Sequence, residues 1–471
     1  MTSLRSATAV LGAAAAAAVA LAVAPAAAQE PGGLVETEIS VQGAGREFGA
    51  TVIAPEGAEG LPGLVLVAGS GPGERDRYRA HAEVFAEAGV AVLLYDKRGA
   101  DEGYSYTSAS IEDLADDAVA AVEALQERPE ADPDLVGLHG HSEGAWVVIE
   151  AAARSTAPAF VVTSGGSALP PEDTQAWMNR ESLHDAGVSE RLLDPLGRQF
   201  IAALVADDLF RLSGYDPLPA LAGIDRPFLG VFAEHDVNTA PGTSFALYEE
   251  TLREAGNPNF ALRVIPGVDH GMVASEDGSH GEDYDEDALD QTYVDTVADW
   301  IHGLARGESA VVVDAAPGQD VEATAVPEAP WYGTATATLA ALVLFTVLFG
   351  AYPIAALVRR LRGRPGMEAT WASRTVAVFG PIVPLVVFVY AAWMLMSGGT
   401  ELLGPVVAGR PVPWLVIEAA AVLVVAAAIA LAVQARRGRA RIDRASKARF
   451  AALLAGVAVL IPWGAYWGLI V

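Results

Sequence analysis

The sequence predicts an α/β domain with a mostly parallel, eight-stranded sheet, followed by an all-α transmembrane domain of four helices. Between residues 34 and 305, short apolar runs alternate with helical segments, which is typical of a parallel sheet wrapped by helices. After residue 330 come four apolar segments of about 20 residues, the length that a helix needs to cross hydrocarbon. Residues 1–330 also contain 55 of the 59 acidic residues and 17 of the 30 basic ones, so the first domain is acidic.

Eight strands are predicted near residues 35–41, 48–53, 63–67, 90–95, 135–139, 159–163, 227–232 and 260–265. The best-defined helices fall at 111–128, 145–153, 244–255 and 287–303. The interval 168–222 is too long for a simple crossover between two strands, so a helical cap is predicted there. Its apolar residues recur at helical spacing, and two interpretations stay open: they line an acyl or lipid-like pocket, or they pack the cap onto the domain body.

Residues 1–28 have the pattern of a cleaved export signal, with Arg5, an apolar run over 9–24 and small residues at 26–28. An uncleaved anchor is the alternative, and both place the chain from Gln29 onward across the membrane. The chain contains no cysteine, which excludes disulfides, thiol catalysis and zinc–thiolate sites. No basic groove is present, so no nucleic-acid partner is expected.

The four spans are predicted at 334–358, 374–396, 413–433 and 450–471, after a linker over 306–330 with the composition of an extended tether. The loops after the first and third spans are rich in arginine, whereas the loop after the second has only Arg410. Positive loops stay cytoplasmic, so the acidic domain, residues 29–305, is expected on the extracytoplasmic side of the cell membrane. Glu418 is the only acidic residue within the spans, which favours an anchor in the lipid bilayer over an ion pathway.

The sharpest motif is the Gly-His-Ser-Glu-Gly run from Gly140 to Gly144, which follows the 135–139 strand and opens a helix. A nucleophile elbow needs small residues two positions on either side of the serine, because the backbone turns sharply there. The turn raises the Ser142 hydroxyl above the sheet edge and directs the N-terminus of the next helix at it, which favours developing negative charge. Ser142 is therefore the candidate nucleophile.

A serine hydroxyl needs a general base, and the base needs an orienting carboxylate. Asp236 and His270 each follow one of the last two predicted strands, so they fall on loops at the same sheet edge as Ser142. We predict that His270 is the base and that Asp236 orients it. Asp269 and His235 are the weaker rivals, the first because adjacent residues seldom face each other well.

The tetrahedral intermediate of acyl transfer needs two backbone N–H donors. One is predicted to be the N–H of Glu143, directly after the nucleophile. The other is assigned to Ser70 in the glycine-rich loop 68–73, where main chain can approach a substrate oxygen. Arg75, Arg77 and Glu143 are expected to form an ion-pair network that holds this loop, with binding of a charged substrate end as the alternative.

Three motifs in this order resemble those of bacterial α/β-hydrolases of the serine-aminopeptidase-like (S33-type) and dienelactone-hydrolase-like group. They are Gly-Ser-Gly-Pro-Gly-Glu-Arg-Asp from Gly69, Tyr-Asp-Lys-Arg-Gly from Tyr95 and Gly-His-Ser-Glu-Gly from Gly140. The resemblance covers residues 34–305 and implies the α/β-hydrolase fold and serine-hydrolase chemistry, and many proteins of the group are exported esterases. The chain departs from the group at Ala145, where a glycine is usual, and over residues 100–105.

These observations favour a serine hydrolase that cleaves the ester of a small acyl or lipid-like substrate through a Ser-His-Asp triad and an acyl-enzyme intermediate, with no metal or organic cofactor. An aminopeptidase with the same triad is the first alternative, with the cap acids Glu172, Asp173, Asp207 and Asp208 receiving the substrate ammonium group. The second alternative is a catalytically silent sensing or binding domain coupled to the membrane domain.

Overall fold

The computed structural model describes residues 33–43, 45–71, 73–99, 109–280, 284–364, 369–437 and 443–469. The predicted export signal, residues 1–28, lies outside the described residues, as does the 100–105 departure from the family pattern.

Within the described residues, the sheet of the first domain has nine strands, one more than predicted. They are β1 (Leu34–Gly43), β2 (Arg46–Pro55), β3 (Leu61–Val67), β4 (Ala91–Tyr95), β5 (Ala131–His141), β6 (Val161–Ser164), β7 (Phe228–His235), β8 (Phe260–Asp269) and β9 (Val312–Val313). Their order is β1-β2-β4-β3-β5-β6-β7-β8-β9. β2 is antiparallel to β1 and β4, and every other neighbouring pair is parallel. The carboxyl ends of β3 to β8 therefore meet at one edge, where ligands bind in such sheets.

Helices cover both faces of this sheet. They are α1 (Arg79–Glu87), α2 (Ile111–Gln126), α3 (Glu143–Arg154), the cap helices α4 (Pro171–Asp185), α5 (Glu190–Gly197), α6 (Gln199–Val205) and α7 (Pro217–Ala222), then α8 (Pro241–Glu254) and α9 (Gln291–Ala305). α2, α3 and α8 pack on one face, and α1 and α9 pack on the other. Apolar residues fill both layers, which explains the continuous apolar runs of the parallel strands.

Four helices follow: α10 (Ala335–Leu361), α11 (Trp371–Met396), α12 (Val412–Arg437) and α13 (Arg444–Tyr466). All four are long and apolar enough to cross a membrane. A short hairpin, β10 (Val406–Val407) with β11 (Arg410–Pro411), joins α11 to α12. Arg410 Nε donates to Glu418 Oε1 at 3.1 Å. The acidic side chain of α12 is therefore paired with an arginine of the hairpin before that helix.

The cap, residues 168–222, packs against one end of these helices. Seven of its apolar residues share one buried cluster with α10 to α13: Leu183, Val188, Leu192, Leu193, Leu196, Phe200 and Ala203. Asp207 Oδ2 accepts from the Thr336 N–H at 2.6 Å, and the Ser189 N–H donates to the Gly409 carbonyl oxygen at 2.9 Å. The apolar face of the cap is thus buried against the four apolar helices, which neither interpretation of the sequence predicts.

The linker, residues 306–330, is extended and runs along the first domain. Val312 and Val313 form β9 and pair with β8. Gln319 Oε1 then accepts from the Thr243 N–H at 2.9 Å, and the Val321 carbonyl oxygen accepts from Trp177 Nε1 at 2.8 Å. The linker therefore contacts the sheet, α8 and the cap in turn before it reaches α10.

Candidate active site

Ser142 lies in a strained turn between β5 and α3. Its backbone has φ 54° and ψ −119°, in a region that residues with a side chain rarely adopt. A Cβ added to Gly140 would lie 2.1 Å from the Gly144 carbonyl oxygen, and one added to Gly144 would lie 2.3 Å from that of Val67. Only glycine fits at these two positions, so the packing of strand against helix requires the spacing of the motif.

Asp236 and His270 meet at the carboxyl ends of β7 and β8. His270 Nδ1 lies 2.9 Å from Asp236 Oδ2. The carboxylate also accepts from the Asn238 N–H at 2.7 Å and from the Thr239 hydroxyl at 2.6 Å. Burial favours the neutral acid, but the His270 ring and these donors outweigh it and hold the pKa of Asp236 below its ordinary value. Burial likewise opposes charge on the ring, yet the Asp236 carboxylate keeps the pKa of His270 raised.

The rival residues are engaged elsewhere. Asp269 is fully buried; its Oδ1 accepts from the Val273 N–H at 3.0 Å, and its Oδ2 lies 3.3 Å from His280 Nε2. His235 Nε2 lies 3.9 Å from Glu234. Among the described residues, the His270 ring is hydrogen-bonded to the carboxylate of Asp236 and not to that of Asp269.

The His270 ring stands next to the elbow. A Cβ added to Gly165, directly after β6, would lie 2.9 Å from two atoms of that ring, and the ring centroids of His141 and His270 are 4.9 Å apart. The Ser142 N–H donates to the Ser164 carbonyl oxygen at 2.9 Å, which ties the elbow to the same strand end. Among the described residues, no hydrogen bond joins the Ser142 hydroxyl to the ring, and such bonds often shorten only when substrate binds.

The glycine-rich loop 68–73 lies beside the nucleophile. A Cβ added to Gly69 would lie 3.3 Å from the Ser142 Cβ, so the main chain of the loop is within contact distance of the serine. Lys97 Nζ donates to the Gly69 carbonyl oxygen at 2.7 Å and fixes the loop from below the surface. Ser70, the predicted oxyanion donor, is the next residue after Gly69.

Glu143 connects this loop to two cations. Its carboxylate accepts from Lys97 Nζ at 2.6 Å, from the Ser70 hydroxyl at 3.2 Å and from the Arg211 guanidinium. The side chains of Glu143 and Lys97 are 3% and 2% exposed. Burial alone would raise the pKa of Glu143, but Lys97 and Arg211 outweigh it and lower that pKa, so the carboxylate is ionised.

Glu143 therefore belongs to an ion-pair network beside the loop, as expected. The expectation that Arg75 and Arg77 are its partners is wrong. Arg75 pairs with Asp96 at 2.7 Å and with Glu38 at 2.6 Å, and Arg77 pairs with Glu286 at 2.8 Å. Sequence reasoning did not single out Arg211, which lies 68 residues from Glu143 in the chain. No local pattern marks it, because only the fold of the cap brings it to the elbow.

A cavity of about 630 Å³ opens beside the His270 ring, on the α1 and α9 side of the sheet. Five of the eight histidines of the chain line it: His81, His139, His141, His270 and His280. The Ser164 hydroxyl lies 3.0 Å from His139 Nε2 and 3.2 Å from His141 Nδ1. Burial lowers the pKa of His139 to about 3 and that of His141 well below its ordinary value. Both rings are therefore neutral near pH 7.

One acidic group among the described residues has the geometry of a cation site. The carboxylates of Glu181, Asp185 and Asp320 offer oxygens that lie within 4.8 Å of one another. Asp185 and Asp320 are exposed, and exposed acidic groups commonly hold no ion, so we assign no metal to them.

Known proteins are similar to part of this chain. Residues 76–289 match the model of the prolyl oligopeptidase family. The esterase EstD of Thermotoga maritima is 27% identical over 293 residues, which cover 58% of this chain and 68% of the esterase. The dienelactone hydrolase of Anabaena variabilis has 19% identity and a TM-score of 0.35, over 59% of this chain and 99% of that structure. The acylaminoacyl peptidase of Pyrococcus horikoshii has 14% identity and a TM-score of 0.40, over 57% and 41%.

The sheet order and the strand–serine–helix elbow are those of the α/β-hydrolase fold. The family match and the esterase relative agree with this architecture. The chain is therefore a serine hydrolase of the α/β-hydrolase fold, extended by four apolar helices at its C-terminal end.

Proposed function

We propose that the chain hydrolyses carboxylic esters through an acyl-enzyme intermediate. Ser142 Oγ attacks the ester carbonyl while His270 takes its proton, and the same proton then leaves with the alcohol. Water attacks the acyl-serine by the reverse sequence and releases the acid. Asp236 holds the ring, and the N–H groups of Ser70 and Glu143 stabilise the oxyanion. None of these steps calls on a metal or an organic cofactor.

The hydrogen bond of 2.9 Å between His270 Nδ1 and Asp236 Oδ2 is the observation that carries this proposal. It leaves Nε2 of the ring for the serine proton, and it lies at the sheet edge where the elbow presents Ser142. Ester hydrolysis is favoured over other acyl transfers by the relative at 27% identity, which is an esterase.

Replacement of the nucleophile tests the proposal. Ser142→Ala should abolish labelling by a fluorophosphonate probe and lower the turnover of a short-chain chromogenic ester by about 10³-fold or more. Ser40→Ala, at an exposed serine of β1, is the matched control and should keep both properties. Undiminished labelling of the Ser142→Ala protein would remove this residue from the role.

Peptide hydrolysis is the second candidate, because the family model that matches residues 76–289 is that of a peptidase family. Three of the four acids expected to bind a substrate ammonium group already accept backbone hydrogen bonds, which does not support it. Glu172 accepts from the Gly214 N–H, Asp173 from the Val326 N–H and Asp207 from the Thr336 N–H. Parallel assays on acyl esters and aminoacyl amides distinguish the two candidates: preference for the amides by more than tenfold would favour the peptidase.

We also infer that the hydrolase domain lies on the extracytoplasmic side of the cell membrane. The start of α10, the hairpin before α12 and the cap lie together, whereas the arginines that follow α10 and α12 lie at the other end of the helices. Arginine-rich ends stay in the cytoplasm. Protease added to intact cells should therefore cleave the hydrolase domain, and full protection would place the domain inside.

A further inference from the structure

We propose that the active site takes its ester directly from the lipid surface, past an entrance segment formed by residues 206–214 between α6 and α7. The substrate class is then an amphiphilic ester with a long acyl chain and a neutral or zwitterionic headgroup. This inference rests on the proposed ester hydrolysis and states where its substrate comes from.

Leu209, in the middle of the entrance segment, has an unusual environment. Its side chain is 61% exposed, more than any other large apolar residue described in the first domain and its linker. The next are Val35 at 46%, Val311 at 43% and Val312 at 42%. A single exposed leucine is ordinary on a soluble protein, so its place relative to the membrane helices decides its meaning.

Leu209 lies near the N-terminal end of α10, the first membrane helix. Asp207, two residues before Leu209, accepts from the Thr336 N–H in the first turn of α10 at 2.6 Å. Trp331 and Tyr332, just before this helix, are 83% and 50% exposed. Exposed Trp and Tyr at the end of a span mark the membrane–water interface. Leu209 therefore lies at the level of the lipid headgroups, where an exposed leucine gains an apolar partner.

The other side of the entrance segment reaches the catalytic machinery. Arg211, two residues after Leu209, pairs with Glu143, which follows the nucleophile directly. Leu212 packs against the core of the first domain. Asp208 and Leu212 have φ angles of 56° and 61°, so the chain is held in an uncommon conformation on both sides of Leu209. Two residues of chain span about 7 Å. Leu209, the proposed lipid contact, is therefore separated by about this distance from Arg211, which pairs with Glu143 at the elbow.

The charge of the domain selects among amphiphiles. Asp207 and Asp208 directly precede Leu209, and residues 1–330 hold 55 acidic against 17 basic residues. Such a surface repels anionic headgroups and tolerates neutral or zwitterionic ones. An ester whose acyl chain stays in the bilayer can bring its carbonyl past Leu209 toward the serine.

A spectroscopic experiment tests the lipid contact without activity. Because the chain has no cysteine, Leu209→Cys provides a single site for a nitrobenzoxadiazole label on the full chain in phosphatidylcholine vesicles. Doxyl-labelled lipid should quench this label at least twofold more than the same label at Val35→Cys, on the edge strand β1. Equal quenching at the two positions would overturn the proposal.

A kinetic experiment tests the route. Leu209→Ser should lower the rate on 4-methylumbelliferyl oleate in phosphatidylcholine vesicles by about fivefold or more, because the segment loses its apolar contact. Its rate on a water-soluble acetate ester should stay within twofold, and Val35→Ser should change neither rate. Equal effects of Leu209→Ser on both substrates would overturn the proposed entrance. So would a parent protein that hydrolyses the acetate but not the oleate. In both cases the proposed ester hydrolysis would still stand. Loss of both activities and of fluorophosphonate labelling in the parent would instead refute the proposed function, and this inference with it.

Discussion

The buried pair of Glu143 and Lys97 should dominate the stability of the elbow region. Removal of one partner of a buried ion pair costs about 3–5 kcal/mol, because the other charge loses its counter-ion. Lys97 Nζ keeps the carbonyl oxygens of Ala68 and Gly69 at 3.3 and 2.7 Å. We therefore expect Glu143→Gln to destabilise the chain by the lower value, about 3 kcal/mol. For a domain of this size, that is a fall of about 6–12 °C in the thermal midpoint.

Differential scanning fluorimetry of the full chain in detergent measures this change. Glu308→Gln is the matched control: its pair with Arg306 has side chains 63% and 60% exposed, and exposed pairs contribute little. It should shift the midpoint by about 1 °C or less. Lys97→Met should destabilise the chain in the same direction as Glu143→Gln. A midpoint for Glu143→Gln within about 2 °C of the parent protein would show that the pair is not the support that its geometry suggests.

Three further predictions concern the triad, the cap and the membrane interface. The acidic limb of kcat/KM should have its midpoint above pH 6.5, because the pKa of His270 is raised and the protonated ring cannot take the serine proton. Asp236→Asn should move that midpoint to lower pH and lower the rate by about 10⁴-fold. An unchanged midpoint would contradict the pairing of Asp236 with His270. Burial first, and Asp185 next, raise the pKa of Glu181 from 4.5 to about 7. The contribution of this side chain to stability is therefore greatest below pH 4.5 and is lost as pH rises through about 7. Glu181→Gln should raise the thermal midpoint near pH 8, and a pH dependence equal to that of the parent would refute this. A chain ending at residue 330 should aggregate without detergent, because it exposes the cap cluster that faces α10 to α13; a monodisperse profile in light scattering would be inconsistent with that interface.

Features of local sequence predicted the framework well. The first three apolar helices begin and end within four residues of the predicted spans, whereas α13 is Arg444–Tyr466 instead of 450–471. Apolar length and flanking arginines define a span without reference to the rest of the fold. The parallel strands and the elbow were equally predictable, because a strand, a glycine-spaced serine and a helix follow one another directly in the chain.

Contacts between distant segments were harder to predict. Helix α1 has a mixed composition of Arg, His, Glu and Ala and was not predicted. The partners of Glu143 lie 46 and 68 residues away, and one of them is on the cap. The role of the cap's apolar face depends on which surface it meets, and periodicity shows only that one face is apolar. Strand β9 has two residues, too few to produce a pattern.

The interface between cap and membrane helices has a consequence for release of the enzyme. A protease that cuts the linker near Gly318 would break the chain between the hydrolase domain and α10. The two fragments would still be joined by the buried cluster of the cap with α10 to α13 and by the hydrogen bond from Thr336 to Asp207. A single nick would therefore leave the hydrolase domain attached to the four apolar helices, and its release would require that this apolar contact be broken as well.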